Sequence, residues 1–309
     1  MNNENENLTP LSFGNDDALR PIPNVRSEEL DDFVPIGGSD KGGSKVINKD
    51  SNFVCFFGSA SSGKSVILSS LLYYLKARAG VLRPAPETPN TKEANRLLST
   101  FFDNISKGIL PERTTRDKVT RLDMVFEPNN KSRKTTPIKL TFLETAGDNN
   151  YEIRHGGKFH SSLATYLEAD IPLTFIIVTS YENAHREDTF INEFVDELER
   201  SRRGVRSVKI IFVISKWDKS GRKNASTDEI DSFFEERLPM TNNMINTYGL
   251  TKTYYTIGTV INSNGQEKVT ELVLDRAEIL TKWLYKSIIG VPLDYEGTFW
   301  ERIKFSILD

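Results

Sequence analysis

The residues best suited to chemistry form one run, Gly58-Ser59-Ala60-Ser61-Ser62-Gly63-Lys64-Ser65. The glycines and the Gly-Lys-Ser ending have the spacing of a loop that cradles a polyphosphate. Glycine lets the backbone curl so that its N–H groups point inward, and a helix starting at the loop's end adds positive potential. Lys64 is placed to reach the β- and γ-phosphates, and the Ser65 hydroxyl to take one position on Mg²⁺. A Gly/Ser-rich turn can carry the same letters by chance, so the flanks decide. Phe53-Val54-Cys55-Phe56-Phe57 before the loop is an apolar run of strand length, and Ile67, Leu68, Leu71, Leu72 and Leu75 after it recur at helical spacing. Strand, glycine-rich loop and helix is the order this chemistry requires.

A phosphate loop does not specify its base. The discriminating stretch is Ser215-Lys216-Trp217-Asp218, at the end of the apolar run Ile210–Ile214. Side chains just past a strand's carboxyl end face the crevice where open α/β sheets bind ligands. An ionised Asp218 only accepts hydrogen bonds, so it can take both the ring N–H and the exocyclic amine of guanine. Adenine offers an acceptor in place of the first and lacks the second, which leaves the carboxylate unpaired. The Lys216 stem can lie over the base plane. The rival reading is a polar turn after a strand in an ATP-using kinase or ATPase.

These residues resemble the Ras-like P-loop GTPases, over about residues 50–290. Leu143-Glu144-Thr145-Ala146-Gly147 is similar to the family's D-x-x-G element with Glu144 in place of Asp, and Ser215–Asp218 to [NT]-K-x-D with Ser215 in place of Asn. Tyr255-Thr256-Ile257-Gly258 resembles the last base-contacting element, and Thr114 or Thr115 the switch threonine that covers Mg²⁺ and the γ-phosphate. The long helical insertion before Leu110-Pro111-Glu112-Arg113-Thr114 is most similar to the bacterial double-GTPase group, which implies a protein effector or a second GTPase subunit as partner. The resemblance implies GTP/GDP and Mg²⁺ as cofactors. Gly58 to Ser65, Gly147, Ser215, Lys216, Asp218, Thr256 and Ile257 would contact the nucleotide; Ser65, Thr114 and Glu144 the metal. It implies a hydrolytic group of Lys64, Thr114, Thr115, Asp148 and Asn149. Departures fall at that hydrolytic end. Glu144 is one methylene longer than Asp, and Asp148-Asn149-Asn150 stands where Ras-like enzymes carry a water-orienting Gln. Arg113 and Arg116 flank the threonines, where a cation in cis could stabilise transition-state charge. The expected activity is slow GTP hydrolysis; the alternative is a catalytically inactive interaction subunit.

The elements that must position these groups alternate strand and helix from Lys49 onward, which predicts an α/β fold with a mixed, mostly parallel six-stranded sheet covered by helices on both faces. Residues 1–48 are rich in Asn, Asp, Gly, Ser and Pro and read as a disordered tail. The domain proper is expected over 49–290 with a helical insertion at about 80–110. Residues 291–309, with Phe299, Trp300 and Phe305, read as an extension docked on the domain. A predicted hairpin spans Lys118–Glu127 and Pro137–Leu143, and the last long helix is predicted over Thr270–Ile289. Net charge is −3, which gives no electrostatic footprint for nucleic acid, and the basic clusters at 131–134 and 200–203 read as a solvated hairpin tip and a helix C-terminus. Cys55, the single cysteine, lies in an apolar strand, and His155, His160 and His185 have no metal-ligand spacing. Without a leader or a membrane-spanning run, a cytoplasmic location is expected.

Overall fold

The computed structural model describes residues 11–12, 48–86, 88, 91–111, 119–130, 135–201, 203–263 and 266–295. The apolar runs β2 (Asn52–Phe57), β6 (Leu173–Ser180) and β7 (Lys209–Ser215) form its centre. They lack the alternation of a half-exposed strand, and both of their faces are covered. Around them a seven-stranded sheet runs in the order β3 (Gly80–Pro84), β4 (Val119–Pro128), β5 (Ile138–Thr145), β2, β6, β7, β8 (Thr251–Tyr254). Every pairing from β5 to β8 is parallel, whereas β3–β4 and β4–β5 are antiparallel.

The period of two along β2 splits the core. Val54 and Phe56 face α1 (Lys64–Tyr74), α2 (Thr91–Ser106) and α8 (Asp275–Ile289). Phe53, Cys55 and Phe57 face α4 (Ser161–Glu168), α5 (Ala184–Arg200), α6 (Thr227–Arg237) and α7 (Pro239–Tyr248). The result is helix, sheet and helix in three layers, as the alternating sequence predicts. Phe57, Phe175, Phe190 and Phe194 stack in the second layer; Phe57 and Phe194 lie 3.9 Å apart between ring centres.

Three features differ from the sequence expectation. The sheet gains a seventh strand because Gly80–Pro84, which reads as a helix-breaking loop, pairs with β4 at the edge. Prolines are tolerated there because an edge strand has one unpaired side. The final helix begins at Asp275 rather than Thr270. Residues before it form β10 (Gln266–Leu272), paired with β9 (Gly258–Ser263). Val269, Leu272 and Val273 fit helical spacing, and Val269 and Leu272 both reach the core from a strand only through the register shift between Val269 and Glu271, so the pattern alone misleads. β10 also pairs with β1 (Leu11–Ser12), so two residues of the stretch read as a tail complete a second, three-stranded sheet. At the other end Leu293 is buried, and Asn130 donates to the carbonyls of Leu293 and Tyr295. The rest of the tail and the docked extension at 296–309 lie outside the described residues.

Candidate functional site

The run Gly58–Ser65 links β2 to α1 at the centre of the sheet, between the ends of β5 and β6. Gly63, at φ +93°, occupies the N-cap of α1 in a conformation that favours glycine. Gly58, at φ +150°, lies so close to β6 that a Cβ would collide with the carbonyl of Val178. Both glycines are thus required by geometry. Of the described non-glycine residues only Asn48, Ser61 and Lys216 have positive φ, and the last two sit in the loops singled out by sequence. Strain of this kind persists where the surroundings hold it in place.

Neighbouring strands clamp the loop from three sides. From the β5 side, Asn150 donates to Gly58 O at 2.9 Å and accepts from Thr145 at 2.9 Å. A Cβ on Gly147 would collide with the Ala60 backbone, so the two loops touch directly. From the β6 side, Glu187 on α5 accepts hydrogen bonds from Ser59 and from Thr179, the latter at 2.5 Å. From the β7 side, the Ser215 hydroxyl donates to Ser62 O. Lys64 is buried and donates to Gly58 O at 3.0 Å and Ser59 O at 2.7 Å. Ser65 donates to Glu144, which is only 1% exposed.

Two adjoining hollows open along this loop. One, of about 230 Å³, is lined by Ala60–Val66, Glu144, Gly147 and Lys216. The other, of about 70 Å³, is lined by Ser215, Lys216, Asp218, Thr256 and Ile257. They share Gly63, Val66, Leu110, Lys216 and Glu267. The first has the donors and the dipole for phosphates; the second has the carboxylate for a base. A larger cavity of about 500 Å³ shares Asp218 and Thr256 but includes no residue of the phosphate loop. The base loop is held by Tyr255 N–H to Ile214 O at 2.7 Å and Trp217 N–H to Tyr255 O at 3.2 Å. Trp217 is buried among Tyr181, Phe233 and Tyr254, which fixes the turn that carries Lys216 and Asp218. Partial burial raises the Asp218 carboxyl above the usual carboxylate range, with Lys219 and Lys216 opposing.

The structure therefore brings together Gly58 to Ser65, Glu144, Gly147, Ser215, Lys216, Asp218, Thr256 and Ile257. Thr114, Thr115, Arg113 and Arg116 lie outside the described residues, as do the side chains of Asp148 and Asn149. The backbone of the latter two forms a single helical turn, Gly147–Asn150. Asn150, an alternative water-orienting group on sequence grounds, has its amide committed to Gly58 and Thr145 instead. For Mg²⁺, Ser65 and Glu144 offer hard oxygen donors in mutual contact, which fits that ion. Among the described residues no group of three or more His, Cys, Asp or Glu converges as a metal site.

Two site residues escape a sequence reading. Glu187 is 128 residues from Ser59, on a helix whose period marks only its apolar face. Glu267 lies on the hairpin that replaces the first turn of the predicted last helix. The hairpin reaches the site because Val269 N–H donates to Gly108 O at 2.8 Å and Lys268 bridges Ile109.

No protein-family model matches the chain, and no curated protein matches its sequence. Among solved structures, Roco2 RocCORdC of Methanosarcina barkeri, bound to GDP, is similar over 84% of this chain and 55% of its own, at 13% identity and TM-score 0.37. This chain thus spans about half the length of that protein. A likeness at that level carries no inference about activity. Among the described residues no helix is long and apolar enough to cross a membrane.

Proposed function

We propose that the protein is a guanine-nucleotide-binding switch that takes GTP or GDP with Mg²⁺ and hydrolyses GTP slowly. The observation that carries this reading is that the two hollows adjoin. The loop that ends in Lys64 and Ser65 lines one, and Gly63 and Lys216 line both it and the other, which Asp218 edges. One ligand with polyphosphate at one end and a donor-rich base edge at the other satisfies both. Ser65 and Glu144 would hold Mg²⁺, with Thr114 the further candidate; the ion would neutralise phosphate charge. Lys64 and the Gly147 N–H would bind the γ-phosphate, and water would attack it in line. Loss of that phosphate would release the segment around Thr114/Thr115 and the Gly147 turn, a difference for a partner protein to read. The double-GTPase grouping, a paired GTPase as partner and a cytoplasmic location belong to the same proposal.

The deciding experiment is to identify the nucleotide that the purified protein releases on denaturation, and to compare thermal stabilisation by GDP and ADP with Mg²⁺ present. Stabilisation by ADP but not GDP overturns the guanine assignment.

A second reading is favoured by one observation. Asn150 braces the loop rather than facing the phosphates, which leaves Asp148 and Asn149 as the groups after Gly147 to orient water. If neither does so, the protein binds nucleotide and serves as an inactive interaction subunit. Single-turnover assays separate the two: no phosphate released over hours from bound GTP sinks the enzyme reading.

A further inference from the structure

Glu187 is a buried carboxyl, 4% exposed, on the face of α5 that otherwise presents Ala184, Phe190, Ile191 and Phe194 to the core. Burying a carboxyl among such groups is costly unless its oxygens are satisfied. Here one oxygen accepts from Ser59, the first residue after Gly58, and the other accepts from Thr179, near the end of β6. Burial pushes the Glu187 carboxyl up, while the two hydroxyls and the charges of Lys64 and Arg154 pull the other way. Ser59 is the hub. Its hydroxyl is held by Glu187 and its carbonyl accepts from Lys64, so turning this residue disturbs both contacts. An apolar residue at 187 would pack with its neighbours and leave the loop's β6 side without its link.

We propose that Glu187 is a positioning residue for the phosphate loop: by joining Ser59 to Thr179 it holds the loop's entry, and with it Lys64, in the arrangement that receives a polyphosphate. This rests on the nucleotide-binding reading above. Glu187 touches no phosphate; it acts through Ser59 and Lys64.

The test is a GDP titration of the full chain, with Mg²⁺, for the parent protein and for Glu187→Ala, Ser59→Ala, Thr179→Val and the Glu187→Ala/Ser59→Ala double variant. Folding is followed by circular dichroism at the titration temperature. Losing the link between the Ser59 and Thr179 hydroxyls predicts about tenfold weaker binding for Glu187→Ala, and the double variant is expected within about twofold of the weaker single one, since both remove one link. Glu187→Gln recovers most of the loss, because its amide can bridge two hydroxyls that each donate or accept. A folded Glu187→Ala protein that binds GDP like the parent overturns the proposal, as do single losses that multiply in the double variant. Should Glu187→Ala not fold, Ser59→Ala and Thr179→Val decide: unchanged GDP affinity in both overturns it. A parent protein that binds no guanine nucleotide sinks the underlying reading as well, whereas tight parent binding with unchanged variants sinks this proposal alone.

Discussion

In the proposed reading Asp218 carries the choice of base, and its chemistry makes that choice testable. Replacing it with Asn turns one acceptor into a donor, which no longer suits the amine of guanine but does suit the carbonyl that xanthine has at that position. Asp218→Asn is therefore expected to weaken GDP by about a hundredfold and to gain affinity for XDP, read by competition titration. Unchanged GDP affinity would show that this carboxylate does not read the base. The pH dependence follows from its raised carboxyl pKa. Guanine requires the ionised form, so GDP affinity is full above that pKa and falls as pH drops through it, at a higher pH than for an ordinary exposed aspartate. Asp218→Asn should lose this dependence. Lys64→Ala removes the buried cation of the loop, and retention of nucleotide through gel filtration should be abolished. At this scale much of the site was legible, because Gly-x-x-x-x-Gly-Lys-Ser and Ser-Lys-Trp-Asp are contiguous strings whose geometry is local. Glu187 was not, and Asn150, marked only by its place after Gly147 as a group to orient water, braces Gly58 instead. Both roles depend on side chains brought to Gly58 and Ser59 by tertiary packing.

The β9–β10 hairpin is the element that most changes the site. It places Glu267 in the lining of both hollows, an exposed negative charge beside a pocket for a polyanion. Glu267→Gln should tighten GDP binding by about two- to fivefold at low salt, and the gain should shrink as added salt screens it. An equal gain at high salt would contradict a charge effect. The hairpin begins at Gly258, at φ +118°, where a Cβ would collide with the carbonyl of Glu271. Gly258→Ala is expected to destabilise the fold by roughly 2 kcal/mol, measured by chemical denaturation. Strand and helix types were readable wherever the period was unambiguous. The hairpin predicted over Lys118–Glu127 and Pro137–Leu143 is present as the antiparallel pair β4–β5. The Ser226 capping box, in which Ser226 and Glu229 satisfy each other's backbone N–H groups, explains why the start of α6 is so definite. The β9–β10 hairpin failed as a reading because the register shift after Val269 gives its buried residues a helix-like spacing, and β3 because Pro84 signals a break without excluding an edge.

For the molecule as a whole, the three layers put the described residues of the candidate site at the carboxyl ends of the parallel strands, so the proposed binding and the folding share the same scaffold. Cys55 reports on that scaffold. Full burial pushes its thiol up, so it is expected to resist thiol reagents until the protein unfolds, and bound GDP should slow its labelling further. Fast labelling of the native protein would mean that the layer formed by Phe57, Phe190 and Phe194 opens readily. The architecture was predictable because alternating strand and helix patterns leave few ways to cover a parallel sheet. The second sheet was not, since β1 is two residues long and gains meaning only from β10. The central claim is that one guanine nucleotide spans the loop at Gly58–Ser65 and the carboxylate at Asp218. Identifying the nucleotide that the purified protein releases on denaturation, with Mg²⁺ kept throughout purification, tests it most directly. The account predicts GDP or GTP near one per chain, absent from Lys64→Ala; ADP or ATP in its place would contradict it.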